Sequence, residues 1–135
     1  MIGPHEYEST PNDQEGLIGH VALKGFFGIC REWGCSQEEM IQMLGGVSDA
    51  TFAEYQTLPY SKPSHDLLER VSYILGIYKS LRKMYPNAER ANRRIRLATS
   101  DLPFAGSSAL DFMASGSMKQ LAQTRRYFEA KQNSE

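Results

Sequence analysis

Residues 67–85, LLERVSYILGIYKSLRKMY, limit this chain more than any other stretch. Apolar side chains at Leu67, Val71, Ile74, Tyr78, Leu81 and Tyr85 follow the three-and-four spacing of one helical face. A second line through Leu68, Leu75, Ile77 and Met84 widens that face, leaving a narrow polar stripe of Glu69, Ser72, Gly76, Lys79 and Lys83. Each Leu or Ile left in water forfeits about 1.5–3 kcal/mol of burial, so such a helix must be covered on more than one side. The pattern predicts a central helix over residues 64–86 between an N-terminal and a C-terminal helical unit. Ser64 is its expected N-cap, and Pro86, which lacks an amide donor, its stop.

A chain of 135 residues with 41% hydrophobic and 23% charged content suits one domain or two tightly packed units. No run approaches the ~18 apolar residues of a membrane span, and the opening MIGPHEYESTPNDQE lacks the basic lead and apolar stretch of a signal peptide. A cytoplasmic protein is therefore expected, with reduced thiols. Cys30 and Cys35 form no CxxC pair, and His5, His20 and His65 are scattered, so neither a metal site nor a cofactor is expected.

The net charge of −1 hides a division. Residues 1–60 carry nine acids against Lys24 and Arg31, whereas residues 61–135 carry thirteen basic groups against seven acids. Residues 1–14 are expected to form a flexible tail, being rich in acids and poor in apolar anchors. From Glu15 to Trp33 the apolar spacing marks a helix weakened by Gly19, Gly25 and Gly28, with Gly34 at its left-handed end. Ser36 and Glu39 have the spacing of a capping box for a helix expected to bury Met40, Ile41, Met43 and Leu44. After Gly45-Gly46, Ser48 caps a third helix anchored by Phe52 and stopped by Pro59. Helix, glycine turn, short helix is a helix-turn-helix plan over residues 15–63.

In that plan Ser48, Asp49, Thr51, Glu54 and Tyr55 would face a DNA groove, with Lys62 the first cation after them. Duplex affinity rests on cations neutralising phosphates, and Asp49 and Glu54 oppose it. Two readings stay open. Either the unit is a packing and dimerisation scaffold, or a dimer binds operator DNA through Ser48, Thr51, Tyr55 and Lys62 aided by the basic C-terminal half. After the central helix, a helix started by Pro86 or Asn87 should hold Ala88, Ala91, Ile95 and Leu97 inside and turn Arg90, Arg93, Arg94 and Arg96 to solvent. Phe104 should pin the linker 101–106 to the core. Ser108 and Asp111 are spaced as a capping box over Leu110, Phe112 and Met113. After Gly116, Ser117 should cap a last helix whose inner face is Met118, Leu121 and Phe128, with KQNSE as a frayed tail.

The run LERVSYILGIYKSL resembles the central helix of the Xre/MbcA/ParS antitoxin family, partners of RES-domain toxins. PFAGSSALDFMASGSMKQLAQTRRYFEA is similar to that family's toxin-binding domain, and FFGICREWGCSQEEMIQMLG to its helix-turn-helix opening. The resemblance covers about residues 20–130, in the same order. Ser107 stands where the family pattern has Arg, and FAEYQTL lacks its usual basic, aromatic-rich ending. The resemblance implies an all-α protein, with a helix-turn-helix-like unit joined by the central helix to a toxin-binding domain at 87–135. It further implies a homodimer and a partner RES-domain toxin that destroys NAD, its pocket obstructed by the last helix and tail. The toxin contacts carried over are Ser108, Asp111, Arg125, Arg126, Tyr127 and Glu129, with operator binding as a second activity.

No P-loop, HExxH or Gly-rich dinucleotide turn is present, so an enzyme is not expected. A stand-alone helix-turn-helix regulator is the competing class.

Overall fold

The computed structural model describes residues 11–57 and 64–134. The protein is all-α. Seven helices lie among the described residues: α1 (Pro11–Trp33), α2 (Gln37–Met43), α3 (Asp49–Thr57), α4 (His65–Met84), α5 (Ala88–Arg96), α6 (Ala109–Met113) and α7 (Met118–Ser134). None of the described helices is long and apolar enough to cross a membrane.

Helix α4 is the axis, covered by α7 and α1 and touched by α5. Ser64 caps it by accepting from the Leu67 amide at 3.0 Å. Leu67, Val71, Ile74, Ile77 and Leu81 are buried at helical spacing. Half of the expected apolar face is not buried: Leu68, Met84 and Tyr85 are half-buried, and Tyr78 and Leu75 differ too. Tyr78 is half-buried because its hydroxyl reaches Glu32 at 2.9 and 3.0 Å, and Leu75 stays 40% exposed. Gly76, expected in a solvated stripe, instead lies under α7: a Cβ there would come within 2.7 Å of Arg125 Nε.

The N-terminal helices follow their local signals. Helix α1 continues through its glycines and ends at Gly34, whose φ of +70° suits a residue without a side chain. Ser36 and Glu39 form the reciprocal box, at 2.8 and 3.1 Å. Gly45 and Gly46, at φ +100° and +77°, turn the chain into α3, where Phe52 is buried edge-on to Phe27. Helix α1 already runs at Pro11, the first described residue, four residues before Glu15. The expected tail thus loses residues 11–14 to the helix, and residues 1–10 lie outside the described part, as do Pro59 and Lys62.

Asn87 caps α5 through the Arg90 amide at 3.0 Å, and Ala91 and Ile95 are buried. Leu97, expected inside with Ala88, is 57% exposed; it is the C-cap, with extended backbone, so the helical phase that would turn it inward has ended. Ala88 is exposed as well. Leu121, Thr124 and Phe128 form the buried face of α7, and Met118 is half-buried. Where a frayed KQNSE tail was expected, α7 continues as far as Ser134, with Lys131 Nζ 5.7 Å from the Tyr127 ring one turn back; Glu135 lies outside the described residues.

Arginines tie these helices together. Arg70, 8% exposed, donates from Nε to Asp66 at 2.9 Å and from Nη1 to the Gly116 carbonyl at 3.1 Å. A longer contact of 3.5 Å reaches the Met43 carbonyl. One guanidinium thereby joins α4 to the end of α2 and to the turn before α7. Arg96 donates to the Trp33 and Gly34 carbonyls at 2.8 and 2.6 Å, closing the C-terminus of α1, where the helix dipole favours a cation. It also meets Glu39 at 3.3 Å.

Candidate functional site

The loop between α5 and α6 builds one side of the site. Phe104 and Ala105 both donate their amides to the Asp101 carbonyl, at 2.9 and 3.0 Å. Gly106 donates to the Thr99 carbonyl at 2.7 Å, and Thr99 to the Ser107 carbonyl at 3.2 Å. Ala105 holds φ +51° and Gly106 φ +106° to make the reversal. Phe104 is buried edge-on against Phe112 and Tyr127, with ring centroids at 5.4 and 4.8 Å. A loop fixed at so many points holds what it displays, and it displays Leu102, 79% exposed.

Helix α7 builds the other side. Leu102 and Pro103 line a shallow open groove of about 380 Å³ with Gln123, Arg126 and Tyr127. Arg126 is exposed and makes no hydrogen bond or ion pair among the described residues. Tyr127 is half-buried; its hydroxyl donates to Asp101 Oδ2 at 2.5 Å and accepts from Arg94 Nη2 at 3.0 Å. Burial first, then the hydrogen bond to Asp101, raises the phenol above the ordinary tyrosine range, so it stays neutral. The Arg94 guanidinium lies 5.8 Å from the Tyr127 ring and 5.2 Å from that of Phe128. Tyr127 therefore locks the loop onto α7 and shows only one edge to the groove.

The other residues carried over from the resemblance fall in different places. Ser108 is buried and caps α6, accepting from the Asp111 amide at 3.0 Å, which leaves it a structural task. Asp111 is exposed on the first turn of α6. Arg125 lies over Gly76, pairs with Glu129 at 3.3 Å and approaches the Tyr73 ring to 5.9 Å. The structure brings Arg126 and Tyr127 to one groove, sets Arg125 and Glu129 on another face of α7, and withdraws Ser108. Leu102 was missed by sequence reading; the signal was an apolar residue in a linker before a proline, too common to single out.

At the helix-turn-helix-like end, Ser48 and Thr51 are occupied with each other. Ser48 Oγ donates to Thr51 Oγ1 at 3.0 Å and accepts from the Thr51 amide at 3.1 Å. Tyr55 is half-buried, its phenol raised by burial and then by Glu54. Asp49 and Glu54 are exposed, and α3 carries no cation. Lys62 lies outside the described residues. Among the described residues no cluster of His, Cys, Asp or Glu could hold a metal ion. Cys30 and Cys35 are free thiols, the first buried and the second half-buried. The neighbouring Cys35 thiol, then burial, pushes Cys30 up, whereas Cys30 brings Cys35 down against the opposing effect of burial.

No family model matches the chain. No solved structure matches it either. A protein of Sinorhizobium fredii described as "Uncharacterized protein y4oB" is 36% identical over 122 residues, which span 90% of this chain and 92% of that protein. At that identity and coverage, the chain belongs to the same protein family as y4oB.

Proposed function

We propose that this chain is the antitoxin of a type II pair, an inhibitor that binds a RES-domain, NAD-degrading toxin. It docks through the face made by Leu102, Pro103, Arg126 and Tyr127. The observation that carries the docking face is Leu102 standing in solvent on a hydrogen-bonded loop beside an unpaired arginine and a tyrosine edge. Arg and Tyr are the types that most often anchor interfaces, and a leucine that becomes buried adds about 1.5–3 kcal/mol. A surface already ordered before contact loses little entropy on docking. The identity of the partner rests on the resemblance of the C-terminal half to the toxin-binding domain. In this reading the same half covers the toxin's NAD pocket, and the chain acts in the cytoplasm as a homodimer.

Replacing Arg125 or Tyr127 would disturb packing inside the chain, whereas Leu102→Glu with Arg126→Glu alters exposed atoms. Co-expressed with a RES-domain toxin, the wild-type chain should restore growth and cellular NAD. The double variant should fail while its helical circular dichroism is unchanged. Full protection by the double variant would remove this face from the account.

Operator binding draws no support from α3, whose exposed charges are Asp49 and Glu54. A mobility shift on the DNA upstream of the gene, at two salt concentrations, separates the regulator from the inhibitor. Tight binding with a steep salt slope marks the regulator.

A further inference from the structure

A second groove, of about 240 Å³, runs between α4 and α7 on a different face of α7 from Tyr127. Its walls are polar. Lys79, Ser80 and Lys83 come from α4, and Arg125, Gln132 and Asn133 from α7, with Glu129 alone supplying negative charge. Lys79 and Lys83 are exposed, one helical turn apart, and neither makes an ion pair or hydrogen bond among the described residues. Like charges at that spacing repel, so the pair favours an anion between them. The third cation is already positioned: Arg125 lies against the bare backbone of Gly76, steadied by Glu129 and the Tyr73 ring. Ser80 is buried in the chain, and its hydroxyl has no hydrogen-bond partner among the described residues. Gln132 and Asn133 likewise make none, which leaves neutral donors beside the three cations.

We propose that this groove binds a small phosphorylated anion, its phosphate oxygens held by Lys79, Lys83 and Arg125 with Ser80, Gln132 and Asn133 as neutral donors. Charge-assisted contacts from ammonium and guanidinium groups suit phosphate oxygens, and the size admits a mono- or diphosphate. The site does not depend on the docking face of α7, and neither result bears on the other.

The test is titration of the intact chain with inorganic phosphate, pyrophosphate and ADP at constant ionic strength, so that screening is matched. At tenfold excess over its dissociation constant, pyrophosphate should raise the thermal midpoint by about 5 °C. Lys79→Ser with Lys83→Ser should weaken that binding by about tenfold or more, and Lys119→Ser, outside the groove, should leave it unchanged. Equal binding of ADP and pyrophosphate assigns a bare diphosphate, and tighter ADP a nucleotide. Absence of saturable binding by all three anions overturns the proposal. So does equal weakening by Lys119→Ser, which would mark diffuse attraction to a basic surface.

Discussion

Replacing Arg70 by Met tests how the two halves of the molecule are held together. Methionine keeps most of the aliphatic stem and its packing, so the loss falls on the guanidinium. The bond to the Gly116 carbonyl, 3.1 Å from a charged donor in a mostly buried position, is worth about 1.5–3 kcal/mol. The contact with the Met43 carbonyl, at 3.5 Å, is at the edge of hydrogen-bonding range and adds little. The ion pair with Asp66 adds about 0.3–0.5 kcal/mol, since the Asp66 side chain is 59% exposed and stays hydrated when alone. The sum is about 2–3.5 kcal/mol, equivalent to a fall of roughly 6–14 °C in the melting midpoint for a chain of this size. Arg70→Lys, a point charge without the fork, should lose about half as much. Urea unfolding followed by circular dichroism measures both. A methionine variant within about 0.5 kcal/mol of wild type would refute the view that Arg70 joins α4 to α2 and to the α6–α7 turn.

Three further outcomes are expected. Ala105→Gly should stabilise the fold by about 0.5–1 kcal/mol in the same assay, because alanine at φ +51° is strained and glycine is not; a loss would refute that. Tyr127 has a raised pKa in the fold, so its contribution is whole below the ordinary tyrosine value of about 10 and is lost as pH rises through the folded value. Tyr127→Phe should accordingly flatten the decline in stability above about pH 10 measured by thermal melts; an unaltered slope would show that the phenol is not held neutral. Iodoacetamide at mildly alkaline pH should label Cys35 well before Cys30, as peptide mapping would read, because the lowered and more accessible thiol is the nucleophile.

Much of the architecture is local and therefore legible. The period of α4, the caps at Ser36, Ser64 and Asn87, and the turns at Gly34 and Gly45-Gly46 each follow from a few neighbouring residues. The arginines were not legible, because charge on a helix says nothing about which carbonyl it will reach. Arg96 was expected in solvent and instead closes α1 from 63 residues away. Arg70 sits at core spacing between Leu67 and Ile74, and a cation in such a line was the available signal of a buried partner. The same limit applies to the candidate site. Arg126 and Tyr127 could be singled out by resemblance, but only the folded loop shows Leu102 beside them. Only the pairing of α4 with α7 gathers Lys79, Lys83 and Arg125.

Inhibition of a toxin through the Leu102 face is the central proposal, and NAD turnover by a purified RES-domain toxin measures it most directly. Titration with this chain should extinguish NAD loss at a fixed stoichiometry, and Leu102→Glu with Arg126→Glu should weaken inhibition at least about 30-fold, the equivalent of roughly 2 kcal/mol. Undiminished NAD consumption under excess chain would contradict the account.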